Sequence, residues 1–191
     1  MTVSAWTEVQ LAVGGALRLA IGDRRGLALF DISIDGFWRS FRAGVICYPL
    51  YLVLLSFRVA DPVWEASGAP TILVVETIAY VTSWVAFPLV ILPLARQLGR
   101  GDRFLAFMVA YNWSQILQTA LVMLVGLDSV TGLLPPSGAQ FAGFLAAIAT
   151  LVYEWYIARV ALAVTGAQAT LVVIIDLVLS TALGRVAESL Y

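Results

Sequence analysis

The chain has 191 residues, 61% of them hydrophobic and only 12% charged, with a mean hydropathy of +0.94 and a formal net charge of −1. Soluble domains carry about twice that charged fraction, so an ordinary water-soluble domain is excluded. Histidine is absent, which excludes His-ligated haem or metal and Ser-His or Cys-His catalysis within this chain; the lone Cys47 can build neither an intrachain disulfide nor a Cys-rich metal site by itself.

From Ser4 to Ile21, the residues Trp6, Val9, Val13, Leu17 and Ala20 recur at helical spacing, with Glu8, Gly15 and Arg18 elsewhere on the wheel. This pattern predicts an amphipathic helix lying on a membrane surface. No basic residue precedes it and Arg18 follows it, which is unlike a signal peptide. Residues 22–26 read as a polar turn. Ser33 or Asp35 then caps a helix that sets Phe37, Trp38 and Phe41 at headgroup depth beside Arg39 and Arg42. Residues 1–36 are thus expected to form a cytoplasmic, interfacial segment, and residues 37–191 an all-α, polytopic transmembrane helix bundle.

Five apolar runs, at about residues 41–57, 71–94, 104–125, 141–164 and 169–183, approach the length needed to cross a hydrocarbon core of about 30 Å. The first contains Pro49, and Pro88 and Pro93 bend the far end of the second. Residues 58–70 read as a turn-rich loop, 98–103 as a charged turn, 128–140 as a loop without a basic residue, and 165–168 as a tight turn. Trp6, Trp38 and Trp64 fall where elements should meet the interface, and with Arg39 and Arg42 are expected as interface anchors. With five spans the loops alternate sides. One side collects Arg18, Arg24, Arg25, Arg39, Arg42, Arg96, Arg100, Arg103 and Arg159, and the other only Arg58 and Arg185. The positive-inside rule then puts the N-terminus in the cytoplasm and the C-terminus outside it.

The third span carries Tyr111, Asn112, Ser114, Gln115, Gln118 and Thr119 within an arc of roughly 160°, opposite Trp113, Ile116, Leu117, Ala120 and Met123. Lipid offers an amide no partner, so the polar arc must face other helices or enclosed water. Glu76 in span two, Glu154 and Arg159 in span four and Asp176 in span five extend the polar set. Spans four and five should pack antiparallel, which puts Glu154 and Asp176 each roughly 15 Å deep, at about the level of Asn112 and Gln115. Ala147, Thr150, Glu154, Ala158 and Ala161 form one stripe, and Ala169, Val173, Asp176, Ser180 and Gly184 another, of the small-residue kind that suits close packing in lipid. An ionised acid at midplane costs about 2.5–3.5 kcal/mol on insertion scales, so the two acids must share a proton, stay neutral, or be offset by Arg159. Arg159 can reach Asp176 across the turn, or snorkel to the surface with its stem over Trp155. Glu76 is expected nearer the outer surface. The polar set reads either as hydrogen-bonded glue between helices or as a path for protons or a small solute.

Catalysis, cofactors and metals are not expected: no Lys or His is available to pair with a nucleophile, and no Gly-rich phosphate loop or basic–aromatic nucleic-acid surface occurs. The stretch from Phe30 to Phe41, with its Phe37-Trp38-Arg39-Ser40-Phe41, and the stretches Gly101–Phe104 and Tyr111–Ser114 resemble a group of uncharacterised alphaproteobacterial membrane proteins. Five spans behind a cytosolic N-terminal segment are also similar to the Yip1-type membrane domain. That resemblance implies a role in membrane complexes through partner proteins and carries no site residues. The expected function is therefore a non-catalytic accessory or scaffolding component, in contact with lipid and with other membrane subunits or a second copy. The alternative is a small transporter or channel subunit. Five spans without an evident repeat depart from the paired-repeat plan of many transporters, although a homodimer could supply the symmetry.

Overall fold

The computed structural model describes residues 5–191; the remainder of the interfacial segment, including Ser4, lies outside them. The described residues are helical, with no strand among them. In chain order they form α1 (Ala5–Ala20), a 3-10 segment (Arg24–Leu29), α2 (Ile34–Ser40), α3 (Arg42–Arg58), α4 (Asp61–Ser67), α5 (Ala69–Gln97), a 3-10 turn (Gly101–Arg103), α6 (Phe104–Thr131), α7 (Pro136–Ala161) and α8 (Gly166–Glu188). Five helical stretches are long and apolar enough to cross a membrane: α2 with α3, then α5, α6, α7 and α8. The chain is a membrane protein built as an all-α bundle.

The centre of that bundle is α6, which packs against α1, α2, α3, α5 and α7. Its face of Phe107, Met108, Val109, Ala110 and Trp113 is buried. Trp113 belongs to the arc opposite the polar residues, yet it too is enclosed, because helices cover α6 on both sides.

The helix ends follow from local chemistry. Ser33, not Asp35, caps α2, its Oγ accepting from the Gly36 N–H at 3.0 Å. Phe41 interrupts the ladder between α2 and α3, so the first crossing is two helices in sequence rather than one run starting at residue 41. Thr165 and Gln168 form a capping box at the start of α8. The expected loop over 58–70 contains α4, which Pro62 in its first turn favours. The expected loop over 128–140 is shortened from both sides, since α6 runs to Thr131 and α7 begins at Pro136.

The N-terminal helix is more than a surface element. Its buried face is Ala12, Gly15, Ala16 and Leu19, whereas Trp6 and Leu17 from the predicted apolar stripe are exposed. Small residues win because close approach, not apolar area, decides packing between helices in lipid. A Cβ on Gly26 would lie 2.4 Å from the Gly15 carbonyl, so the 3-10 segment can sit on α1 only where both residues are glycine. Tyr153 donates to the Ala16 carbonyl at 2.7 Å and Tyr156 to the Gly22 carbonyl at 2.5 Å, tying α7 to this layer. Glu8 accepts from Arg39 at 2.7 Å and lies 3.5 Å from Arg42, so the two arginines are committed to ion pairs as well as to the interface. Arg39 also pairs with Asp31. Hydrogen bonds from Ser33, followed by the Arg39 charge, hold the Asp31 carboxyl below its ordinary range.

Candidate functional site: a midspan acid pair beside a polar cavity

Asp176 sits ten residues into α8, about 15 Å along the helix at 1.5 Å per residue. Glu154, on α7, neighbours it across the interface. Two neighbouring carboxyl groups with no cation beside them favour sharing one proton over both ionising. Tyr111 of α6 donates to Asp176 Oδ1 at 2.9 Å. Glu154 is only 5% exposed, and its Oε1 is buried without a hydrogen-bond partner. Among the described residues no arginine lies within ion-pairing distance of either acid.

Asp176 forms part of the wall of a cavity of about 310 Å³ bounded by α3, α5, α6 and α8. Asn112, Gln115, Gln118 and Thr119 line it from α6, and Ser83 and Ser180 from α5 and α8. The aromatic wall is Tyr80, Trp84, Phe87 and Tyr111, with Phe87 and Tyr111 stacked at 4.3 Å between centroids. Pro88, also in the wall, has no N–H to return to the Trp84 carbonyl one turn earlier. Bulky rings hold α3 and α5 apart here: Tyr80 donates to the Gly44 carbonyl at 2.7 Å, and a Cβ on Gly44 would meet the Trp84 ring at 2.9 Å. Beyond Tyr80 and Trp84, a nearly apolar groove of about 330 Å³ runs between α3 and α5.

The predicted polar set divides into three. Asn112, Gln115, Gln118, Glu154 and Asp176 come together as expected. Of these, only Asn112 bonds another helix as neutral glue, donating to Ser40 of α2 at 2.8 Å. Gln118 donates to Ser114 of its own helix at 3.2 Å, and the Gln115 side chain, in the cavity wall, has no partner among the described residues. Arg159 does not belong to the set. It is exposed, with its guanidinium 5.2 Å from the centre of the Trp155 ring, so it snorkels instead of crossing to Asp176.

Glu76 forms a separate site at the other end of the bundle and is more deeply buried than its nearness to the outer surface implied. It is 1% exposed, and accepts from Arg58 at 2.5 Å, from Tyr191 at 2.6 Å and from Tyr51. Burial first, then the bond to Glu76, pushes the Tyr191 hydroxyl up to about 12. Trp64 joins this end, donating to the Val59 carbonyl at 3.1 Å, while Trp6 and Trp38 are 69% and 65% exposed, as anchors would be.

The predicted stripes are half right. Ala158 and Ala161 are buried with Glu154, but Ala147 is exposed; Ala169 and Val173 are buried, whereas Ser180 opens onto the cavity. Sequence reasoning missed Tyr51, Arg58 and Tyr191 as partners of Glu76. Arg58 was the findable one: opposite charges near the joined ends of consecutive antiparallel helices lie at one level. Among the described residues no three His, Cys, Asp or Glu side chains converge as a metal-ligand set. Comparisons with protein-family models, curated proteins and solved structures find no match to this chain.

Proposed function

We propose that this chain is a small transporter or channel subunit whose midspan cavity holds a polar solute against Asp176, with protons exchanged through Asp176 and Glu154. One observation carries the proposal: an acid pair without a base stands beside a polar cavity, and Glu154 Oε1 and Gln115 are left unbonded. Helix glue would have used those groups, because an unmet polar atom in a bilayer costs free energy. The cavity also lies within the range usual for small-molecule sites, about 300–1,000 Å³. No catalytic step is assigned, since nothing in the cavity pairs a nucleophile with a base.

The test is proton flux in proteoliposomes loaded with a pH-sensitive dye. The parent protein should dissipate an imposed pH gradient, and Asp176→Asn should abolish this while remaining folded. Leakage no faster than in empty liposomes would overturn the proposal.

An accessory or scaffolding role is the second reading, supported by Trp6, Leu11 and Leu17 on the outward side of α1, which headgroups or a partner subunit would cover. A fixed partner co-purifying in mild detergent would favour it. Arginine placement supports an N-terminus in the cytoplasm, and the resemblance to alphaproteobacterial membrane proteins supports a bacterial inner membrane, with the C-terminus in the periplasm. A reporter active only outside the cytoplasm should work after Tyr191 and stay silent after Arg100.

A further inference from the structure

We propose that the cavity's solute is a small organic ammonium cation, bound with Asp176 as its counter-charge and exchanged for the proton of the acid pair. The proposal rests on the solute-binding reading above and narrows it to one substrate class.

Charge decides first. Among the described residues Asp176 is the only carboxyl group in the cavity wall, and neither arginine nor any other cationic side chain lines it. An anionic solute would meet a carboxyl with nothing to offset it; a cation would meet its counter-ion. Ring chemistry decides next. Tyr80, Trp84, Phe87 and Tyr111 line the same space, and aromatic faces attract ammonium groups while giving little to a strongly hydrated metal ion. Acceptors complete the site: Gln115 and Gln118 line the wall, and each amide carries an oxygen that can accept.

The exchange balances in charge. Without solute, two neighbouring carboxyl groups with no arginine paired to either retain a proton between them. An arriving cation brings one positive charge to Asp176, and the shared proton leaves to solvent, so the site's net charge is unchanged. The groups facing Asp176 are Tyr111 on α6 and Glu154 on α7; Tyr51 and Cys47 on α3 and Tyr80 on α5 share the cavity. None is a fixed cation that would repel the ligand.

The experiment is calorimetric titration of the purified, detergent-solubilised full chain with choline, in weak buffer so that released protons are read as acidification. The neutral isostere 3,3-dimethyl-1-butanol, sodium and potassium are run in parallel. Choline should bind at least about tenfold more tightly than the isostere and release protons, a margin expected when a cation pairs with a buried carboxylate. Asp176→Asn should weaken choline binding by at least about tenfold and abolish proton release, while unfolding at the parent's temperature. Phe87→Leu, which keeps the acid pair, should weaken choline several-fold without affecting the isostere. Equal binding of choline and the isostere, both displaced by filling the cavity with Ser180→Phe, would overturn the cation assignment but preserve solute binding. Binding of sodium or potassium alone that depends on Asp176 would replace it with an inorganic cation site. If choline, the isostere, sodium and potassium all fail to bind and the proteoliposomes show no flux, both readings fall.

Discussion

Two acid sites lie within the spans of this bundle, and they are built on opposite principles. Glu76 is enclosed by Arg58, Tyr51 and Tyr191, with its charge balanced and its oxygens bonded. Asp176 and Glu154 have one tyrosine, each other and an open cavity. An acid with every oxygen matched is a structural tie whose partners vanish only at a cost. An acid left short of partners beside a cavity is free to take a proton or a ligand. The difference is in the neighbours: Glu76 and Glu154 are both buried, but only Glu76 has a cation, and only the second site opens onto a cavity.

The largest expected effect is at the closed site. Arg58→Leu leaves Glu76 buried without its cation, and removing one partner from a buried pair costs about 3–5 kcal/mol; with the Arg58 side chain 45% exposed, the lower end of that range applies. Denaturant-induced unfolding in mild detergent reads it, and a cost below about 1 kcal/mol would dissolve the distinction between the sites. A smaller effect is expected at Asn112, whose bond to Ser40 is the neutral glue between α6 and α2. Asn112→Leu should cost about 0.6–1.7 kcal/mol, the range for interhelical hydrogen bonds in bilayers. The smallest is at Tyr191. Its raised hydroxyl contributes stability that is fully present below its ordinary 10.0 and lost as pH rises through about 12. Tyr191→Phe should remove that alkaline dependence and lower neutral-pH stability by about 0.5 kcal/mol, the low end for one hydrogen bond, because Arg58 and Tyr51 still hold Glu76; spectroscopic pH titrations of the two proteins would show both.

Five crossings are legible in the sequence because a hydrocarbon core demands long apolar runs, and those runs stand out from arginine-bearing turns. The gathering of Asn112, Gln115, Glu154 and Asp176 is legible for a related reason: helices joined by a tight turn share a depth scale. Less of α1 could be read. A hydrophobic wheel points Trp6 and Leu17 toward the membrane, but does not reveal that Ala12, Gly15 and Ala16 allow a close approach and pack into the bundle. The short α4 was hidden by Pro62 and Gly68, which read as loop punctuation yet here begin and end a helix. Tyr191 reaches Glu76 from 115 positions away, and no periodicity carries that information. Nor could spacing choose between the two fates of Arg159, since the distance to Asp176 depends on how α7 is rotated.

The most direct measurement is unfolding of two isosteric variants, Glu76→Gln and Asp176→Asn, side by side in one detergent. Each removes a charge and keeps a shape. The account predicts that Glu76→Gln is destabilised by about 1.5–3 kcal/mol, the scale of hydrogen bonds to a charged acceptor, since Arg58, Tyr51 and Tyr191 all lose one, while Asp176→Asn stays within about 0.5 kcal/mol of the parent. The reverse order, or equal losses at both positions, would contradict it.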